Sequence, residues 1–161
     1  MISSDALRMI KHHEGVRLRP YRCPAWLWTV GVGHVIDQSH ISVPVSERKS
    51  LPIPQGWDRL LTIEEVDAIL ARDLAHFVRG VGRLCPAAPA RQNHLDALVS
   101  FAFNVGLGNL QRSTIRQRYN RGDVDGAADA FMQWTKAGGR ELPGLVKRRA
   151  DERRLFLNEL F

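Results

Sequence analysis

Glu14-Gly15-Val16-Arg17-Leu18-Arg19-Pro20-Tyr21-Arg22-Cys23-Pro24-Ala25-Trp26-Leu27-Trp28-Thr29-Val30-Gly31-Val32-Gly33-His34 is the stretch on which the fold turns. Just before it, Ser3 or Ser4 can cap a first helix with Asp5 in its first turn. Leu7 and Ile10 then form an apolar stripe that ends near His13. Gly15 is a natural helix stop, which puts Glu14 at a helix C-terminal end. From Val16 the residue types change: Val16, Leu18, Thr29, Val30, Val32 and Val35 favour strands, and Pro20, Pro24, Gly31 and Gly33 punctuate them. This pattern predicts a small sheet built from hairpins, with Glu14 at its entrance.

Downstream, residues 37–61 show no period and contain Pro44, Pro52, Pro54 and Gly56, predicting an irregular loop with a short extra strand at 41–45. Thr62-Ile63-Glu64-Glu65 has the hydroxyl-then-carboxylate spacing of a capping box. Val66, Ile69, Leu70, Leu74 and Phe77 follow at helical intervals and predict a long helix ending near Pro86. Further helices are predicted over about 90–105, 107–119, 123–135 with Asp123 as its cap, and 142–157, the last dense in arginine. The expected architecture is α+β and mostly helical, in one domain spanning 1–161. Residues 1–61 hold the first helix and a small β-containing lobe with the insertion at about 37–61, 62–85 form a connecting helix, and 86–161 form a larger helical lobe. A cleft between such lobes is a normal place for a ligand.

The chain has 161 residues, 44% of them hydrophobic, which supplies a core and argues against disorder. Cys23 and Cys85 are the two cysteines, so no disulfide framework is expected; a Cys23–Cys85 bond is the weaker alternative to two free thiols. The start lacks an apolar run after a basic segment, and nothing approaches a membrane span, so cytoplasmic synthesis without stable membrane insertion is the expectation. A formal charge of +6 suits a polyanion: nucleic acid, an anionic membrane or an acidic cell wall. No base-reading helix or aromatic-bearing basic strand is visible, so nucleic acid is not the expected partner. His12 and His13 point to different helix faces and no acid or thiol cluster completes a site, so neither a metal nor another cofactor is expected. His34 reads as an orienting group for the hairpin.

The chemistry rests on a carboxylate, a thiol and a hydroxyl in order. Glycosidic bonds need an acid to protonate the leaving oxygen and a second group to activate water or attack the anomeric carbon. A helix end, a hairpin and a strand can bring residues 14, 23 and 29 to one side of a cleft, and Gly31 and Gly33 let a sugar approach closely. Taken singly, Glu14 is a surface glutamate, Cys23 an inert thiol and Thr29 a strand threonine. Trp26 and Trp28 lie between the three and are candidates for substrate or lid contact; Trp134 reads as core.

Together these residues resemble the active-site motif of the phage lysozyme family, to which the T-even phage lysozymes belong. That motif is Glu, eight residues, Asp or Cys, five residues, Thr, matched here at Glu14, Cys23 and Thr29. Ser100-Phe101-Ala102-Phe103-Asn104-Val105-Gly106, Asn109-Leu110-Gln111-Arg112-Ser113-Thr114 and Leu142-Pro143-Gly144-Leu145-Val146-Lys147-Arg148-Arg149 are similar to later family segments. Four ordered matches are far more specific than the first alone.

The resemblance implies an endolysin: a monomeric muramidase without cofactor, cutting peptidoglycan between N-acetylmuramic acid and N-acetylglucosamine after release to the wall. It implies Glu14 as general acid, Thr29 as a holder of the attacking water, and sugar contacts from Val35, Phe103 and Ser113. One of Arg148 or Arg149 is implied to pair with Glu14, although the run Lys147, Arg148, Arg149, Arg153, Arg154 reads most simply as a solvated helix face. Cysteine at 23, where many members carry Asp, leaves two routes open, water activation and a covalent thioglycoside. A free thiol titrates near about 8.5, and Arg19 and Arg22 are the neighbours expected to lower Cys23. The rival readings are a lytic transglycosylase, which needs one acid and yields anhydro ends, and a non-catalytic murein-binding component.

Overall fold

A computed structural model describes residues 1–159 of the chain. They form two compact units, one of Glu14–Asp73 and one of Met1–His13 with the chain from Leu74 onward.

In the first unit, strands β1 (Arg17–Arg22), β2 (Trp28–Gly31) and β3 (His34–Val35) make one antiparallel sheet in that order. Tyr21 and Val35 both lie opposite Thr29, and Arg22 lies opposite Trp28. The register slips between Arg17 and Tyr21, where Pro20 cannot donate to a ladder. Leu27, Val30, Val32, Leu61, Val66, Ile69 and Leu70 are buried and form this unit's core. Gly31 packs beside Val66 at φ 66°, a left-handed backbone conformation that suits glycine.

The insertion does not contain the strand expected at 41–45. It holds a 3-10 turn at Gln38–Ser42, capped by Asp37, and a short helix α2 (Val45–Arg48). Pro44 ends the extended run and stands at the helix cap. No residue between 37 and 60 is fully buried. Two arginines hold the segment instead. Arg22 donates to the carbonyls of Trp26, Arg48, Lys49 and Leu51 at 3.1, 2.6, 2.9 and 2.7 Å. Arg48 donates to those of Ala25, Ile41 and Val43 at 3.0, 2.9 and 2.9 Å.

Helix α3 (Ile63–Leu84) opens with the predicted capping box: Glu65 N donates to Thr62 Oγ1 at 3.1 Å and Thr62 N to Glu65 Oε2 at 2.8 Å. Its first half belongs to the first unit and its second half to the other.

The second unit is built around α4 (Gln92–Val105), buried continuously from His94 to Ala102. Helix α1 (Ser4–Glu14) belongs here through His13, not with the sheet as expected, because Ser3 bonds to Asp96 through both its amide and its hydroxyl and buries Ala6 and Ile10 behind it. The helix expected over 107–119 is two, α5 (Leu107–Gln111) and α6 (Thr114–Asn120), divided at Ser113. Helix α7 (Val124–Ala130) starts at the expected Asp123 cap. A hairpin of β4 (Lys136–Ala137) and β5 (Arg140–Glu141), not foreseen, precedes α8 (Pro143–Phe156). Trp134 is half-buried, edge-on to Phe101 at 5.5 Å between ring centres.

The arginine run divides. Lys147 and Arg154 are exposed and Arg153 half-buried, but Arg148 and Arg149 are buried and meet the buried Glu152 at 3.1 and 2.8 Å. Ser100 Oγ donates to Glu152 Oε1 at 2.8 Å, and Arg149 to Asn104 Oδ1 at 2.9 Å. A buried guanidinium must be paired and hydrogen-bonded to be tolerated, and these partners supply that.

Candidate active site

Glu14 is the last residue of α1 and is exposed; Gly15, at φ 80°, turns the chain into β1. The left-handed conformation suits glycine, and it ends the helix at the carboxylate.

Cys23 follows β1 and begins the β1–β2 hairpin loop. Its amide donates to Leu27 O at 3.0 Å, and Trp26 N donates to Cys23 O at 2.8 Å. A three-residue loop of this kind ends on a residue with positive φ, a place usually given to glycine. Here Trp26 occupies it, at φ 62° and 40% exposed.

Thr29 lies in the central strand and is 2% exposed. Its Oγ1 donates to Leu27 O at 3.0 Å, and the hydroxyl is among the groups that draw the Cys23 thiol down. A hydroxyl has one proton but rotates freely, so it can serve the carbonyl while the thiol is neutral and turn to the sulfur when a thiolate forms. Burial pushes the Cys23 thiol up, but hydrogen bonds from the backbone of Leu27, the Thr29 hydroxyl and the backbone of Ala25 outweigh it and leave the thiol below its ordinary value. The loop's own hydrogen bonds therefore do what Arg19 and Arg22 were expected to do. Arg22 is committed to the insertion's carbonyls, and Arg19 is exposed. Cys85 is the opposite case, a free thiol whose burial raises it to about 11.

Val35 is half-buried and directly across from Thr29, so both lie on the sheet whose first hairpin loop begins at Cys23. His34 Nδ1 meets Asp73 Oδ2 at 2.8 Å, anchoring β3 to α3 as an orienting group would. Trp28 is not free for a ligand on its indole edge, since Nε1 donates to Leu51 O at 2.9 Å and Arg22 lies over the ring at 4.4 Å.

In the helical unit Phe103 is half-buried and edge-on to Phe77 at 5.4 Å. Ser113 differs from the expected sugar contact. It is 1% exposed, and its hydroxyl accepts from Arg116 N at 3.1 Å and donates to Leu110 O at 2.7 Å. Its side chain serves as the cap that starts α6.

Two side chains near the thiol escaped the sequence reading. Tyr21 lies opposite Thr29, and Arg17 stacks over the Tyr21 ring at 4.7 Å. With Arg22, Cys23, Pro24 and Trp26 they line a cavity of about 470 Å³. The signal was the alternation Arg17, Arg19, Tyr21, Cys23, obscured by the irregularity at Pro20.

The family model described as phage lysozyme matches residues 11–152. The chain is 38% identical to an endolysin of Bacillus phage B103 over 97% of its own length, and 36% identical to an endolysin of Acyrthosiphon pisum secondary endosymbiont phage 1 over 96%. It spans about half (54%) of the Bacillus phage protein and 97% of the other. Among solved structures it resembles the muramidase domain of SpmX from Asticaccaulis excentricus, with TM-score 0.76 and 34% identity over 98% of this chain and 97% of that one. A mutant P22 lysozyme superposes with TM-score 0.78 and 31% identity, over 98% of both chains.

Proposed function

This chain belongs to the phage lysozyme family, and from that premise we propose that it is an endolysin hydrolysing the β-1,4 bond between N-acetylmuramic acid and N-acetylglucosamine in bacterial peptidoglycan. The endolysins and the muramidase domain that it resembles support this reading.

The observation that carries it is a thiol, Cys23, at the head of the β1–β2 loop and held below its ordinary value by the loop backbone and the Thr29 hydroxyl, on the hairpin that follows a carboxylate closing a helix. Glu14 protonates the leaving glycosidic oxygen. The Cys23 thiolate takes the proton of the attacking water, which the Thr29 hydroxyl orients, so one proton is given and one is taken per bond cleaved. Val35 and Phe103 contact the sugar chain, and Ser113 fixes the start of α6. The protein acts on the wall as a monomeric catalytic domain. Among the described residues no helix is long and apolar enough to cross a membrane.

Digestion of purified peptidoglycan followed by mass spectrometry tests this. Wild type yields reducing muramic acid ends, and Glu14→Gln folds normally but loses activity by about 10²–10⁴-fold, the usual worth of a positioned acid. Anhydro ends would make the protein a transglycosylase, and substantial activity in Glu14→Gln would remove the acid assignment.

A further inference from the structure

The cavity beside Cys23 is unusual in what lines it. Two guanidiniums, two aromatic rings, a proline and the thiol surround it, and none of these six residues is acidic. The two arginines are not equivalent. Arg22 spends four hydrogen bonds on backbone carbonyls and is a frame member. Arg17 is exposed and rests only its flat face on Tyr21, at 4.7 Å.

Trp26 is the second feature. A bulky residue in the left-handed region is strained and persists only where its surroundings enforce it. Here the enforcement is visible. Arg48 holds Ala25 O at 3.0 Å, Arg22 holds Trp26 O at 3.1 Å, and Lys49 lies over the indole at 4.5 Å. The insertion thus braces an exposed indole at the rim of the cavity and adds a third cation.

We propose that this cavity is a subsite for the acidic peptide stem that branches from the muramoyl residue, with Arg17 binding a stem carboxylate and Trp26 providing the apolar wall. The inference rests on the peptidoglycan reading above. Chemistry selects the ligand: a planar guanidinium fork matches a carboxylate bidentately, and an indole covers an aliphatic backbone stretch. Bare glycan has no carboxylate beyond the lactyl group, whereas a stem carries several. The shared wall at Cys23 sets the stem beside the reacting sugar. The 37–61 insertion then has a role in positioning, since its arginine and lysine hold Trp26 in place.

The test compares glycan strands with intact stems and strands stripped by an amidase, using wild type, Arg17→Gln and Trp26→Gly. The glycine suits the backbone at 26. Binding of a soluble tetrapeptide stem, and of the same peptide with its carboxylates amidated, is followed by tryptophan fluorescence in the same samples. Wild type should favour stemmed strands by about tenfold in kcat/KM, the scale of one charge-assisted bond. That ratio should fall toward one in both variants, and the free peptide, unlike its amide, should bind wild type and not Arg17→Gln. Equal cleavage of the two substrates by wild type, or a preference that survives in both variants, overturns the subsite and leaves the hydrolase intact. No cleavage of either substrate by wild type strikes at the hydrolase reading, and the peptide titration then decides the subsite alone: carboxylate-dependent binding through Arg17 upholds it, and no binding ends it.

Discussion

Cys23 and Thr29 show how a single loop tunes a thiol. The thiol is drawn below its ordinary value against the effect of its own burial by hydrogen bonds from the loop and from the Thr29 hydroxyl. A lowered value means that the deprotonated form is favoured, so alkylation by iodoacetamide should reach its half-maximal rate at a lower pH than for a free cysteine. Thr29→Val removes the hydroxyl and should move that midpoint, and the rising limb of the lytic pH profile, to higher pH. A midpoint that stays put would mean that Thr29 does not act through the sulfur. Cys23→Ser should be severely impaired because a serine hydroxyl does not ionise near neutral pH, while Cys23→Asp restores a base and should retain part of the activity. Full activity in the serine variant would remove position 23 from the chemistry. The motif singles out Glu14, Cys23 and Thr29 by spacing alone. It could not show that Ser113 is sealed in a helix cap or that Arg22 is spent on the insertion, since both depend on partners fixed only in three dimensions.

Among the elements, those read correctly carry local signals. Thr62 and Glu65 close their capping box within four residues, and Arg59 adds a fork at 2.7 and 3.0 Å to the same carboxylate. That fork, followed by the Thr62 amide, draws Glu65 down to about 2. The stabilisation from the ionised form is therefore present at neutral pH and is lost as pH falls from about 4.5 toward 2. Thr62→Ala should cost about 1 kcal/mol and lower Tm by about 2–4 °C, with unchanged activity below the transition. An unchanged Tm would mean that Glu65 and Arg59 hold the helix start by themselves. The elements read wrongly lack such signals. Ser113 has Arg116 rather than an acid three residues on, so its cap carries no box, and a two-helix segment reads as one. The β4–β5 hairpin is exposed on all four residues and so shows no alternation. In the insertion, Pro44 starts a helix too short to have a period.

For the molecule as a whole, the least legible feature is the pair Arg148 and Arg149. Arginine in a charged run is expected in solvent, yet both are buried against Glu152, and Arg148 also donates to Ser100 O. Removing one partner of a buried ionic cluster strands the other charge, so Glu152→Ala should destabilise the helical unit by about 3–5 kcal/mol. Urea unfolding should report this as a lower midpoint, and a loss below about 1 kcal/mol would indicate that water reaches the two guanidiniums. The first thirteen residues belong to the helical unit, where Ser3 bonds to Asp96 across 93 positions of sequence. Contacts of that separation leave no periodic trace.

The two-arginine fastening of the insertion has an evolutionary consequence. Residues 37–60 contribute nothing fully buried, and Arg22 and Arg48 grip backbone carbonyls rather than particular side chains. Carbonyls are common to every amino acid, so most positions in the segment can drift without loosening the grip. A lineage could rewrite this stretch, and with it whatever brushes against Trp26, while the sheet and the long helix stay as they are. Sequence is thereby free to vary on a part of the chain whose changes the core does not register.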